Sequence, residues 1–141
     1  MSENKKLSRH ECRELIFKLL FAKEFDRDAD PGTYYTDYTE NAEEPTADYV
    51  KDVFLGVCAS LPALDCEIEA ACDIWKLARM STATRSVLRM AVYEMTQADV
   101  PAKAAINEAL ELIKLYDEDS APKFVNGILN KIARERGLIE S

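Results

Sequence analysis

Asp117-Glu-Asp-Ser-Ala-Pro-Lys-Phe-Val-Asn-Gly-Ile-Leu-Asn-Lys-Ile132 holds a loop, a helix start and an apolar stripe in one run. Ser120 suits an N-cap, because its hydroxyl can accept from an otherwise unpaired backbone N–H, and Pro122 suits a first turn in which its missing donor is not needed. A helix is therefore expected from about residue 121. Val125, Ile128, Leu129 and Ile132 recur at i, i+3, i+4 and i+7, which sets them on one stripe that must be buried. Lys123 and Phe124 flank the helix start, where free N–H groups and the positive end of the dipole favour an anion. The spacing fits an ordinary capped core helix equally well, since such helices are held by tertiary packing with no ligand.

Working outward, the same periodicity recurs along most of the chain. Ser8-Arg-His-Glu11 matches a capping box, and the helix it opens is expected to run to about Phe25. Its stripe is Cys12, Leu15, Ile16, Leu19 and Leu20, with Arg9 and Arg13 one turn apart on the flank. Phe17, Phe21 and Phe25 follow at i+4 spacing. This row reads either as the edge of a wide core stripe or as a partner surface next to a basic end that meets phosphate. Residues 26–45 have no period and many acids and tyrosines, and are expected to be an exposed acidic loop with room for a short helical turn. Thr46 is expected to cap a helix bearing Val50, Val53, Phe54, Val57, Cys58 and Leu61. After Pro62 a third helix carries Leu64, Ile68, Ala71, Cys72 and Trp75. Arg79-Met-Ser81 marks a boundary before a helix over 84–96 with Val87, Leu88, Ala91, Val92 and Met95. Asp99-Val-Pro101 breaks the chain again, a fifth helix uses Ile106, Ala109, Leu110 and Ile113, and the opening segment supplies the last helix, ending near Gly137. No stretch alternates as a strand does. The expected class is all-α, a compact bundle of five or six main helices.

Length and composition bound the function. A chain of 141 residues, 48% hydrophobic, is expected to be one domain, 1–141, with an adequate core. No run reaches the roughly eighteen apolar residues of a membrane span, and Met1–Lys6 is polar, so neither a membrane partner nor a signal peptide is expected. Cytoplasmic localisation follows as an expectation. Cys12, Cys58, Cys66 and Cys72 form no CxxC pair and His10 is the sole histidine, so no metal site is expected and the thiols should be reduced and mostly buried.

The formal net charge of −8 is unevenly spread. Residues 26–52 hold nine acids against Arg27 and Lys51, a balance of −7, which leaves −1 for the rest. Residues 1–23 carry six basic residues against three acidic, a balance of +3. A basic face of that size can still bind phosphates, because salt limits the reach of distant charge to about 8–10 Å.

Catalytic constellations are absent from the pattern: no P-loop, no GxGxxG, no GxSxG elbow, and one histidine cannot supply paired metal ligation. Glu108 and Glu111 lie one turn apart, but Lys114 follows at i+3 from Glu111, which points to a solvated ion-paired face. No enzyme activity and no cofactor are expected.

Three segments carry a resemblance. Arg85-Ser-Val-Leu-Arg-Met-Ala-Val-Tyr-Glu-Met95, Asp99-Val-Pro-Ala-Lys-Ala-Ala-Ile-Asn-Glu-Ala-Leu-Glu-Leu112 and Asp119-Ser-Ala-Pro-Lys-Phe-Val-Asn-Gly-Ile-Leu129 closely resemble the NusB family of transcription antitermination factors. Ser8-Arg-His-Glu-Cys-Arg-Glu-Leu-Ile-Phe-Lys-Leu-Leu-Phe21 extends the likeness to the amino end, while residues 26–75 match weakly. The resemblance implies an all-helical, RNA-binding fold of two small three-helix subdomains. It also implies a non-enzymatic role: pairing with NusE, a small-subunit ribosomal protein, and binding the boxA element of nascent ribosomal RNA. The complex then helps the RNA polymerase elongation complex resist termination.

Family roles carry over only to matching positions. The arginine-rich amino-terminal motif maps to Arg9, His10 and Arg13, with Lys5 and Lys6 upstream; His10 stands where an arginine is usual and offers less charge near neutral pH. The RNA-facing loop and helix start map to Asp119, Lys123 and Phe124, with Lys123 on phosphate, Phe124 against a base and Asp119 accepting from a base edge. The NusE surface is expected to include Phe21, Phe25 and the residues from Arg79 to Thr84. An adaptor whose RNA contacts come mainly from its partner is the alternative. The aromatic flank could also serve a homodimer.

Overall fold

The computed structural model describes residues 7–42, 46–72, 77–117 and 120–140. Among the described residues seven α-helices follow one another: α1 (Arg9–Lys23), α2 (Pro31–Ala42), α3 (Asp48–Ala59), α4 (Leu61–Ala70), α5 (Thr82–Gln97), α6 (Ala102–Tyr116) and α7 (Ala121–Glu135). A 3-10 turn over Leu77–Arg79 precedes α5. Among the described residues there is no strand. Lys5, Lys6, Trp75 and Asp119 lie outside the described residues, as does the end of the expected acidic loop from Glu43 to Pro45.

Two groups of three helices make up the bundle. α1, α2 and α3 contact one another, and so do α5, α6 and α7. α5 joins the groups by packing on α1 and α3 as well, and α4 closes one side against α3, α5 and α7. Ala83, Val87, Leu88, Met90, Ala91, Val92 and Met95 are all buried on α5, together with the polar Thr84, Ser86, Arg89 and Glu94. A helix with neighbours on every side has no solvent stripe, and α5 is that helix.

The periodic stripes are buried as their spacing requires. Cys12, Leu15, Ile16, Leu19 and Leu20 on α1 and Val125, Ile128, Leu129 and Ile132 on α7 all lie in one core. Full burial of a side chain of this kind is worth about 1.5–3 kcal/mol, so the stripes of α1, α5 and α7 dominate the stabilisation.

Several boundaries differ from the expectation. Residues 31–42 form α2 where an exposed loop was expected, because Tyr35 is buried and Tyr34 and Tyr38 pack beside it, with Tyr34 and Tyr35 against the Phe54 ring of α3. Asp30 stabilises the start of α2 by accepting from the Thr33 N–H at 3.0 Å. Thr46 does not cap α3, whose N-cap position is Ala47 with no side-chain bond. The Thr46 hydroxyl instead meets the Tyr35 hydroxyl at 2.5 Å. Ser120 precedes α7 in a helical conformation, and its side chain makes no cap bond. Ser8 and Glu11 do form the full capping box. Phe25 lies beyond the end of α1 and is 74% exposed. Of the thiols only Cys12 is buried; Cys58 and Cys72 are half-buried and Cys66 is exposed.

The close of α7 follows from one glycine. Gly137 has φ 72°, a region that L side chains enter at a cost, and this lets Leu138 N–H reach Ala133 O at 2.8 Å while Gly137 N–H reaches Arg134 O at 3.0 Å. Those two bonds satisfy last-turn carbonyls of α7.

A polar cluster locks α1, α4 and α5. Glu24, at the C-cap of α1, pairs with Arg89 at 3.0 Å and Arg85 at 3.3 Å, and Arg89 forks onto Asp65 of α4 at 2.8 and 2.9 Å. Burial pushes the Glu24 carboxyl up, but the Arg89, Arg27 and Arg85 guanidiniums outweigh it and hold the group below its ordinary value.

Gly56 on α3 sets the approach of α5. A Cβ there would overlap the Tyr93 hydroxyl oxygen and the ring carbon that bears it, with the next ring carbon at 2.8 Å. Gly56→Ala should therefore lower stability by about 1–3 kcal/mol through overpacking, although alanine favours an isolated helix by about 1 kcal/mol. Urea unfolding followed by circular dichroism checks the sign.

Candidate nucleic-acid interface

The capping box fixes where α1 begins, and so fixes the first-turn residues Arg9 and His10 at the surface. Arg13, one turn later, is 6% exposed. Its Nε donates to Glu94 Oε1 and Oε2 at 3.1 and 2.9 Å, and a guanidinium nitrogen lies 3.8 Å from Glu108. Glu94 is 0% exposed and also accepts from the Tyr49 hydroxyl of α3. Burial, then the bond to Glu94, push the Tyr49 phenol well above its ordinary value, so it stays a donor. Arg13 thus faces inward, and its charge is matched by a carboxylate of α5.

The other two members of the basic motif remain outside. The Arg9 guanidinium carbon lies 3.7 Å from the centre of the Tyr49 ring, a stacked cation–π contact. His10 Nδ1 lies 3.0 Å from Glu108 Oε1 of α6. The hydrogen bond to Glu108 raises the His10 pKa above its ordinary 6.5 against the opposing effect of burial. Lys114 pairs with Glu111 at 3.7 Å on the exposed face of α6, whereas Glu108 turns toward α1.

A groove of about 560 Å³ opens between the starts of α5 and α7, lined by Arg79, Ser81, Thr84, Asp117, Ser120 and Phe124 among others. Its shape follows from hydrogen bonds at the α5 start. Ser81 caps α5 by accepting from the Thr84 N–H at 3.0 Å, and its own O–H donates to Asp117. Thr84 donates to the same Asp117 Oδ2 at 2.8 Å. Asp117, at the C-cap of α6, is thereby tied to the start of α5. Phe124 is half-buried, with one part on the core and another on the groove, and Lys123 beside it is exposed.

The groove brings together Phe124, expected to meet RNA, with Arg79 and Thr84, expected to meet a protein. Arg79 is exposed, but Thr84 is 3% exposed and forms the floor. The aromatic row is a separate surface. Phe17 is buried and meets Phe21 and Tyr116 with tilted rings, centroids 6.0 and 4.7 Å away, Phe21 is half-buried, and Phe25 continues the row with its centroid 5.6 Å from that of Phe21. Tyr116 donates to Glu14 at 3.1 Å and completes this flank from α6. Tyr49, Glu94, Asp117 and Tyr116 were not expected at the site. Tyr116, an aromatic just before the Asp117 segment, was the one with a sequence signal.

Among the described residues no group of His, Cys, Asp and Glu side chains could hold a metal, and no helix is long and apolar enough to cross a membrane.

Comparison with known proteins agrees with the fold. The model of the NusB family matches residues 10–134. A transcription antitermination protein NusB of Pediococcus pentosaceus is 38% identical over 131 residues, covering 91% of this chain and 98% of the relative. That of Bdellovibrio bacteriovorus is 35% identical over 129 residues, covering 90% and 96%. The solved structure of T. maritima NusB superposes with a TM-score of 0.82 at 33% identity, over 93% of this chain and 94% of the other. A structure of antitermination factors NusB and NusE in complex with dsRNA shares the fold, with a TM-score of 0.79 at 24% identity over 90% and 96%.

Two outcomes follow from the amino-end geometry. Glu94→Ala leaves the Arg13 guanidinium buried without its carboxylate and should cost about 3–5 kcal/mol of stability in chemical denaturation. The folded pKa of His10 is raised, so its contribution is fully present below the unfolded value of 6.5 and is lost as pH rises through the folded one. An NMR titration should place the His10 midpoint above 6.5 in the wild type and lower in Glu108→Gln.

Proposed function

The chain belongs to the NusB family, and on that premise we propose that it is a transcription antitermination factor that binds boxA RNA of nascent ribosomal RNA transcripts. In this reading it pairs with the ribosomal protein NusE, and the complex helps RNA polymerase resist termination. Its work is recognition rather than a chemical step, and its place is the cytoplasm, where transcripts emerge.

The observation that carries the RNA reading is the groove at Phe124. A half-buried ring beside hydroxyls and an exposed arginine offers what an unstacked base needs: a flat apolar face and polar edges. Lys123 and Arg9 are exposed cations suited to phosphate, which positions a strand without reading it, and the exposed His10 joins them when protonated. Lys5, Lys6 and Asp119 belong to the same proposal on the sequence likeness alone. Arg13 enters it differently, by holding α1 against α5 through Glu94 rather than by touching RNA.

The aromatic flank supports the protein partner. Phe25 and Phe21 present an apolar row at the carboxyl end of α1, and NusE is the occupant we assign to it, with Arg79 at the groove rim shared between RNA and protein. Self-association through the same row would compete with NusE. The adaptor reading, in which NusE supplies most RNA contacts, is favoured by the internal pairing of Arg13, which leaves fewer free cations at this end.

Fluorescence anisotropy with a boxA-like RNA oligonucleotide, with and without NusE, tests these readings. Phe124→Ala should weaken binding about tenfold or more, given that base stacking on an aromatic is worth about 1–3 kcal/mol, and added salt should weaken the wild type steeply. Unchanged affinity on losing Phe124 would overturn the groove assignment. Binding seen only with NusE present would favour the adaptor.

A further inference from the structure

The amino end contains two arginines that look alike in sequence and are opposite in the structure. We propose that Tyr49 is a positioning residue for RNA: its ring holds the Arg9 guanidinium flat and outward, making Arg9 the arginine of this motif that meets phosphate. The inference rests on the RNA-binding reading above and adds a residue from α3 to it.

Three observations carry it. The Arg9 guanidinium lies 3.7 Å from the centre of the Tyr49 ring, close enough for face-on stacking. The far end of that ring is pinned, because the Tyr49 hydroxyl donates to Glu94, which is itself fully buried and held by Arg13. Among the described residues, no carboxylate pairs with Arg9, whereas Arg13 has Glu94 and His10 has Glu108.

The physical consequence follows from the shape of a guanidinium. Its donors all point in the plane of the group, so a ring covering one face blocks none of them. A free arginine chain loses rotamer freedom when it grips a phosphate; one already stacked has lost much of it on folding. Arg9 also stands in the first turn of α1, where the helix dipole disfavours a cation, and the electron-rich face of the ring offsets that.

The test measures affinity of the full chain for a boxA-like RNA oligonucleotide across a salt series, with NusE added if the wild type needs it. Arg9→Ala should weaken binding and lower the salt slope by about one unit. Tyr49→Leu, with no charge change, should weaken binding roughly three- to tenfold, and should add nothing further in an Arg9→Ala background. Tyr49→Phe keeps the ring and should recover most of the affinity, although its melting temperature falls with the lost bond to Glu94. Arg9→Lys sits at an exposed position where folding is not at stake; it keeps the charge, loses the flat stack and should bind several-fold more weakly.

Independent, additive losses from Tyr49→Leu and Arg9→Ala, or wild-type affinity in Arg9→Lys, would overturn the positioning role while leaving the RNA reading intact. Absence of RNA binding by the wild type, with and without NusE, would overturn both.

Discussion

The Glu94 carboxylate is the constraint around which the two halves are assembled. It lies on α5 with no solvent contact, so its charge has to be matched from inside the protein. Arg13 of α1 and Tyr49 of α3 supply the match, and these are two of the three helices of the amino-terminal group. Apolar stripes can slide by a turn with modest loss, but a buried carboxylate with two directional donors cannot. The cluster therefore sets the relative register of α1, α3 and α5, while the hydrophobic contacts supply most of the energy.

Much of the fold was legible because buried stripes leave a period. α1, α3, α5, α6 and α7 each carry apolar residues at helical spacing, and each helix is found there. α2 was not legible: among the residues whose burial is described, Tyr35 is its one buried hydrophobic residue, and tyrosines among acids read as a solvated loop. Gly137 alone marked the end of α7, but N-caps were legible only where two residues signal together. Ser8 with Glu11 makes a reciprocal pair, whereas Ser120 and Thr46 had no such second partner, and their hydroxyls are not used for capping.

The candidate site was legible in part for a related reason. Local spacing placed Arg9 and Arg13 on one flank, one turn apart, and gave no ground to separate them. What separates them is Glu94, 81 residues away along the chain, and the Tyr49 ring. The same applies to charge as a whole. Glu24, Asp65, Glu94 and Glu108 face arginines or the histidine within the protein, so neither the acidity nor the basicity of the sequence is presented in full to a ligand. Phe124 and Lys123 are expected at the site by likeness to a family, and the groove sets Arg79, Ser81 and Asp117 around Phe124.

The bonds from Ser81 and Thr84 to Asp117 have a consequence for how that groove behaves in time. They join two chain segments 33 and 36 residues apart, one at the head of α5 and the other just after α6. The head of α5 and the end of α6 linked in this way move as one body rather than as two independent edges. A ligand then meets one wall whose backbone is already ordered, and contacts made to that wall resemble docking to a rigid receptor. Amide hydrogens at the start of α5 would accordingly exchange with the stability of the helical core rather than with the faster opening of a surface loop.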